Sequence, residues 1–215
     1  MTTGFDKEYW LKNYSQPKEM DGIGNAKVHA RYLKSYFELE QIEVKTILDL
    51  GFGLGYMSQA MIRAFTPWRY YGIEPSAHAY ELGAKRLRKS SPSRMKTECV
   101  DLFTWAKNQT AEARWFDLTI CTSVFQYLSD DELLQIMPIL ARLSRYLYLT
   151  VPTDVELDKQ INELKFFDEY ALRRSKEFYF DLIGSHFTLI SSRLWESKLH
   201  FDETSTQVSD LLYRV

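Results

Sequence analysis

Thr46-Ile-Leu-Asp-Leu-Gly-Phe-Gly-Leu-Gly-Tyr56 is the stretch that decides the fold. Thr46 to Leu50 reads as a short buried strand, and Gly51, Gly53 and Gly55 form a glycine-rich turn behind it. A helix follows, because Met57, Ala60, Met61, Ala64 and Phe65 fall on one face at helical spacing. Strand, glycine turn and helix are how a parallel α/β sheet presents backbone N–H groups to a ligand. Alternating glycines cost backbone entropy and add no packing, so a turn that binds nothing is a poor account of them.

Working outward, residues 5 to 40 come before that strand. Phe5 to Tyr14 reads as a short helix, Gln16-Pro17 and Asp21-Gly22-Ile23-Gly24 as loops. Asn25 is placed to cap a helix running to about Glu40, with Val28, Tyr32, Leu33, Tyr36 and Phe37 inward. Arg69 to Ile73 is a second strand, ending at Glu74-Pro75. Ala77 to Lys89 is a helix with Leu82 and Leu87 inward and Lys85, Arg86, Arg88 and Lys89 on a solvated face. Met95 to Val100 is a third strand ending at Asp101, and a short helix covers Phe103 to Asn108.

Trp115 to Cys121 is a fourth strand. Ser129 and Glu132 form a capping box for a helix to about Leu143, with Pro138 inside it. Arg145 to Val151 is a fifth strand. Leu157 to Ile183 reads as one long helical region, and Phe187 to Ser197 with Ser209 to Val215 as a closing antiparallel pair. The expected fold is α/β: a doubly wound, mostly parallel seven-stranded sheet with an antiparallel C-terminal strand, in three αβα layers, plus an N-terminal helical lid. Residues 1–215 read as a single domain, with a lid at 1–44, a cofactor-binding core at 45–152, a helical insert at 153–185 and a closing strand pair at 186–215.

Composition narrows the function classes. The chain has 215 residues, and 27 basic against 29 acidic side chains leave a formal charge of -2. No global field favours nucleic acid or an anionic membrane. Aromatics at 15 % suit both a core and a pocket for an organic ligand. Cys99 and Cys121 sit in apolar runs and read as buried thiols, and four scattered histidines show no metal spacing. There is no apolar signal core at the N-terminus and no apolar run near the ~20 residues that span a bilayer. A reducing cytoplasm is the expected location.

Two carboxylates narrow the ligand. Asp49 precedes the first glycine, and Glu74 ends the second strand, 23 residues after Gly51. A carboxylate there reaches back over the turn and accepts from both hydroxyls of a ribose. A dinucleotide fingerprint would place glycine where Tyr56 stands, and a P-loop would place a Lys-Ser/Thr pair after Gly55.

With these residues the chain resembles the class I S-adenosylmethionine-dependent methyltransferases. Asp49-x-Gly51-x-Gly53-x-Gly55 is similar to their nucleotide-binding signature, and Gly72-Ile73-Glu74-Pro75-Ser76 to their ribose-binding strand end. Val100-Asp101-Leu102 resembles their adenine-binding segment, residues 116–121 their fourth strand, and residues 123–128 the segment after that strand. The resemblance implies S-adenosyl-L-methionine as cofactor. Gly51, Phe52, Gly53 and Gly55 would pack against its methionine part, and Asp49 would hold the ammonium. Glu74, with Pro75 beside it, would bind the ribose. Asp101 and the Leu102 N–H would serve the adenine, and Thr122 would line the methyl-donor side.

The acceptor is less defined. Walls are expected from the N-terminal segment, the loop after the fourth strand and the insert after the fifth, which brings in Tyr9, Trp10, Tyr14, His29, Gln126, Tyr127 and the aromatics from Phe166 to Phe180. His29 and Tyr127 are the polar groups expected near the methyl. Cys121-Thr122-Ser123-Val124 is not the Asn/Asp-Pro-Pro-aromatic signature of amino methylation on adenine or glutamine, and no paired glutamates suggest protein arginine. Asp130 and Asp131 fit a helix N-terminus better than a metal site. A small organic acceptor with an O or N nucleophile is the leading reading. A peptide N-terminus, a non-catalytic cofactor-binding protein and a nicotinamide oxidoreductase are the alternatives.

Overall fold

In a computed structural model, residues 5–13, 21–90, 92–113 and 115–201 are described. The chain divides into two compact units, Met1–Leu102 and Phe103–Val215. The first holds α1 (Lys7–Asn13), α2 (Asp21–Gly24), α3 (Ala26–Leu39), β1 (Thr46–Leu50), α4 (Tyr56–Phe65), β2 (Arg69–Ile73), α5 (Ala77–Leu87) and β3 (Arg94–Glu98). Helix α6 (Leu102–Lys107) opens at the division. The second unit continues with β4 (Phe116–Thr122), α7 (Asp130–Leu143), β5 (Ser144–Thr150), α8 (Asp154–Leu164), α9 (Lys176–Gly184), β6 (Phe187–Ser191) and β7 (Leu194–Ser197).

The strands form one sheet in the order β3-β2-β1-β4-β5-β7-β6. Pairing is parallel between β1 and β2, β2 and β3, and β4 and β5, while β7 runs antiparallel to both its neighbours. Helices cover both faces, which is the expected doubly wound α/β fold. Every residue of β1 is buried, as a central strand covered on both sides requires, and its composition is accordingly almost continuously apolar. β3 is half-exposed because it is an edge.

Several expectations are corrected. Asp21–Gly24 is a helical turn rather than a loop, and the Asn25 side chain makes no capping hydrogen bond to α3. Val28 points to solvent, and the inner face of α3 is Ala26, His29, Ala30, Leu33 and Phe37. On α5 the inner residues are Ala79, Gly83, Ala84 and Leu87, whereas Leu82 is exposed. The expected long helix is two helices. Lys165 caps α8 in the left-handed conformation, and the Ser175 hydroxyl accepts from the Phe178 N–H to start α9. Both strands of the C-terminal antiparallel pair lie within Phe187–Ser197, because the chain reverses between Ser191 and Leu194. Ser209 to Val215 lies outside the described residues, as does Tyr14. Cys121 is buried, but Cys99 lies just past the end of edge strand β3 and is exposed. Among the described residues no helix is long and apolar enough to cross a membrane.

Candidate active site

The glycine turn owes its shape to three backbone angles. Gly51, Gly53 and Gly55 have φ of 78°, 53° and 77°, a region that disfavours any Cβ. Space is as restrictive as conformation. A Cβ built on Gly83 of α5 would stand 2.3 Å from the Gly53 carbonyl oxygen and 2.7 Å from the Phe52 ring. One on Gly72 would stand 2.7 Å from the Tyr70 hydroxyl. The turn therefore sits in a groove that Gly72 and Gly83 leave open, with the Phe52 ring filling it.

The N–H groups of this turn point inward. Those of Gly51 and Phe52 donate to the Ile73 carbonyl at 2.9 and 3.0 Å, and Gly55 donates to the Phe52 carbonyl at 2.9 Å. Gly53 donates to Oε2 of Glu74 at 2.8 Å, and the other carboxylate oxygen accepts from the Ser76 N–H at 2.9 Å. An anion at this turn would have to displace these acceptors, so the arrangement does not suit a phosphate. Tyr56, which stands where a dinucleotide fingerprint has glycine, carries the Arg86 guanidinium 3.5 Å above its ring. Arg86 in turn donates to the Leu54 carbonyl at 2.8 Å and clamps the turn from outside.

Asp49 and Glu74 are 2 % and 4 % exposed, and among the described residues neither forms an ion pair. Burial pushes Glu74 up to about 7, against the pull of its two backbone N–H donors. Burial likewise pushes Asp49 up to about 6, with the Ser58 and Tyr70 hydroxyls pulling the other way. Tyr70 donates to Asp49 Oδ2 at 3.2 Å. Two buried acids without a counter-charge make a site that favours a cation or a dense hydrogen-bond donor. A sulfonium nucleoside with an ammonium and two ribose hydroxyls fits that donor set. Asp101 directly precedes α6, and Leu102 is its first residue.

The N-terminal segment lies against the same turn. The Ser76 hydroxyl donates to the Phe5 carbonyl at 2.6 Å, and the Trp10 ring would stand 3.3 Å from a Cβ on Gly53. Tyr9 is buried edge-on between Phe5 and Trp10. His29 is 5 % exposed on the inner face of α3.

In the second unit, Thr122 ends β4 and Ser123 follows with φ 56°. A 3-10 turn, Phe125–Tyr127, comes next. The segment between α8 and α9 is tied to it. Tyr127 donates to Asp168 Oδ2 at 2.5 Å, and the Leu172 N–H donates to the Gln126 carbonyl at 2.8 Å. Arg174, 8 % exposed, donates to the carbonyls of Phe125 at 3.3 Å and Leu128 at 2.6 Å, and pairs with Asp130 at 2.7 Å. Sequence reasoning missed Tyr70, Gly83, Asp168 and Arg174. The first two carried no separate signal, and the last two sit in a segment read as helix.

Residues 47–146 match a family model described as a methyltransferase domain. No curated protein matches the chain. Solved structures are similar in fold. The plantazolicin methyltransferase BpumL in complex with SAH is 18 % identical with a TM-score of 0.63, over 81 % of this chain and 68 % of that one. The N-methyltransferase NodS from Bradyrhizobium japonicum WM9 is 12 % identical with a TM-score of 0.57, over 80 % and 96 %. Magnesium protoporphyrin IX methyltransferase (ChlM) from Synechocystis PCC 6803 with bound SAH is 17 % identical with a TM-score of 0.53, over 80 % and 82 %. The domain match, the strand order and the glycine turn with its acids agree: the chain belongs to the class I, seven-strand, Rossmann-like S-adenosylmethionine-dependent methyltransferases.

Proposed function

We propose that this methyltransferase delivers the methyl group to a small organic acceptor through an oxygen or nitrogen nucleophile. The observation that carries the reading is the pair of buried carboxylates, Asp49 and Glu74, beside a glycine turn whose N–H groups already have acceptors. In this reading Glu74 takes the ribose hydroxyls with the lone pairs that Gly53 and Ser76 leave, since an ionised carboxylate has about four acceptor positions. Asp49 takes the methionine ammonium, and the backbone of Gly51, Phe52, Gly53 and Gly55 packs on the methionine part. Pro75 stiffens the chain beside the ribose, Asp101 and the Leu102 N–H read the adenine, and Thr122 lines the methyl-donor side.

When bound, the sulfonium supplies an already activated methyl group. The chain's own residues position the nucleophile and keep water out. Tyr127 is the polar group we place at the acceptor, and buried His29 is the second candidate. Residues 1–44 act as the lid in this reading, with Trp10 over Gly53 in support, and 153–185 form an acceptor wall.

The test is a thermal-shift comparison followed by turnover. S-adenosylhomocysteine raises the melting temperature by linkage and NADH does not. Methyl transfer is then measured on small amines and phenols, on a peptide, and on RNA. Preferred transfer to peptide or RNA overturns the small-acceptor reading, and binding without turnover on the whole panel assigns a non-catalytic role.

A further inference from the structure

We infer that the Tyr127–Asp168 pair recognises a hydrogen-bond donor carrying positive charge, a protonated amine on an apolar body, as the methyl acceptor. The inference rests on the methyltransferase reading above and names its substrate class. It starts from the count of protons. A tyrosine hydroxyl has one, and here it is committed to Asp168 Oδ2 at 2.5 Å. Asp168 Oδ1 accepts from the Tyr170 N–H at 3.2 Å, so the carboxylate is held from both sides. What this pair offers a ligand is oxygen lone pairs and a negative charge. A carboxylate, phosphate or carbonyl finds no donor there, whereas an ammonium finds acceptors.

A neighbouring group has the same polarity. Gln126 is 3 % exposed, and its Oε1 has no hydrogen-bond partner among the described residues. A buried acceptor without a donor costs free energy until something donates to it. The surroundings supply the apolar half of the recognition. Phe167 and Leu172 are exposed on either side of Asp168, in a segment with no helix of its own. That segment is nonetheless fixed, because Leu172 binds the Gln126 carbonyl and Arg174 is anchored to Phe125, Leu128 and Asp130. A rigid acceptor pair flanked by apolar side chains matches an aromatic or aliphatic amine.

The chemistry balances within the chain. The bound ammonium passes one proton to the Asp168 carboxylate, directly or across the Tyr127 hydroxyl. Nitrogen keeps the electron pair that makes it a nucleophile. The carboxylic acid then returns the proton to solvent.

The test uses the intact chain with S-adenosylhomocysteine present and three probes of one size: 2-phenylethylamine, 2-phenylethanol and phenylacetate. Calorimetry should show the amine binding at least about tenfold more tightly than the other two. Asp168→Asn should erase that preference while leaving S-adenosylhomocysteine affinity within about twofold, and Tyr127→Phe should weaken the amine alone. A Phe-Gly-Gly amide that binds more tightly than 2-phenylethylamine keeps the ammonium reading and assigns its body to a peptide. Equal or tighter binding of phenylacetate, binding of none of the probes, or an amine affinity indifferent to both variants overturns the inference. Failure of S-adenosylhomocysteine itself to bind is read separately and counts against the cofactor assignment.

Discussion

The Gly53 N–H and Glu74 Oε2, 21 residues apart in sequence, are joined by a 2.8 Å hydrogen bond. The residue proposed to hold the ribose thus also sets the turn proposed to hold the methionine part. Glu74→Ala should lower S-adenosylhomocysteine affinity at least ~10-fold, about 1.4 kcal/mol. Glu74→Gln should not restore it, since its amide nitrogen must face either the Gly53 or the Ser76 N–H. Calorimetry showing unchanged affinity in both variants removes Glu74 from the ribose role.

The buried acids set a pH dependence. Glu74 is raised from 4.5 to about 7 and Asp49 from 3.8 to about 6, in each case chiefly by burial. The unfolded chain ionises first as pH rises, so the folded chain binds more protons between those limits. Unfolding free energy then falls through that window and levels off above it. Melting of the ligand-free protein should move down from pH 5 to pH 8 at constant ionic strength, less steeply in Glu74→Gln. S-adenosylhomocysteine affinity should strengthen over the same range, because it calls on the ionised forms. Parallel rather than opposed slopes refute the argument.

Gly83 offers a reversal of the usual helix rule. Alanine in place of an exposed helical glycine stabilises by up to about 1 kcal/mol. Here the added methyl would meet the Gly53 carbonyl at 2.3 Å. Gly83→Ala should destabilise by about 1–3 kcal/mol in urea unfolding and also weaken S-adenosylhomocysteine. Gly22→Ala, with nothing within 4 Å of its Cβ, is the control.

Arg174 has a buried guanidinium shared among the Phe125 and Leu128 carbonyls and Asp130. Removing it leaves these acceptors without their donor. Arg174→Ala should cost roughly 3–5 kcal/mol in urea unfolding. Arg174→Lys should recover only part, because a single ammonium lacks the planar fork that reaches separate acceptors.

Legibility in the sequence followed the range of the interaction. β1 was readable to the residue, as were β2 and the Ser129–Glu132 capping box, because periodicity and caps are local. The ends of the insert helices were not, since Lys165 and Ser175 are ordinary residues until their backbone or hydroxyl is seen to cap. Leu82 was misread because helical spacing alone does not say which side of α5 meets the glycine turn.

By itself the sequence determined the donor: three glycines, one acid before them and one acid on the next strand are all set by short stretches of chain. Only the tertiary structure decided what those groups face. Folding turned the N–H groups of the turn inward to Ile73 and Glu74, placed Gly83 against Gly53, and brought Asp168 to Tyr127 across 41 residues. The physical reason is that a hydrogen bond or a close approach between distant segments leaves no local pattern. Its partners take their positions from the packing of the strands and helices that carry them.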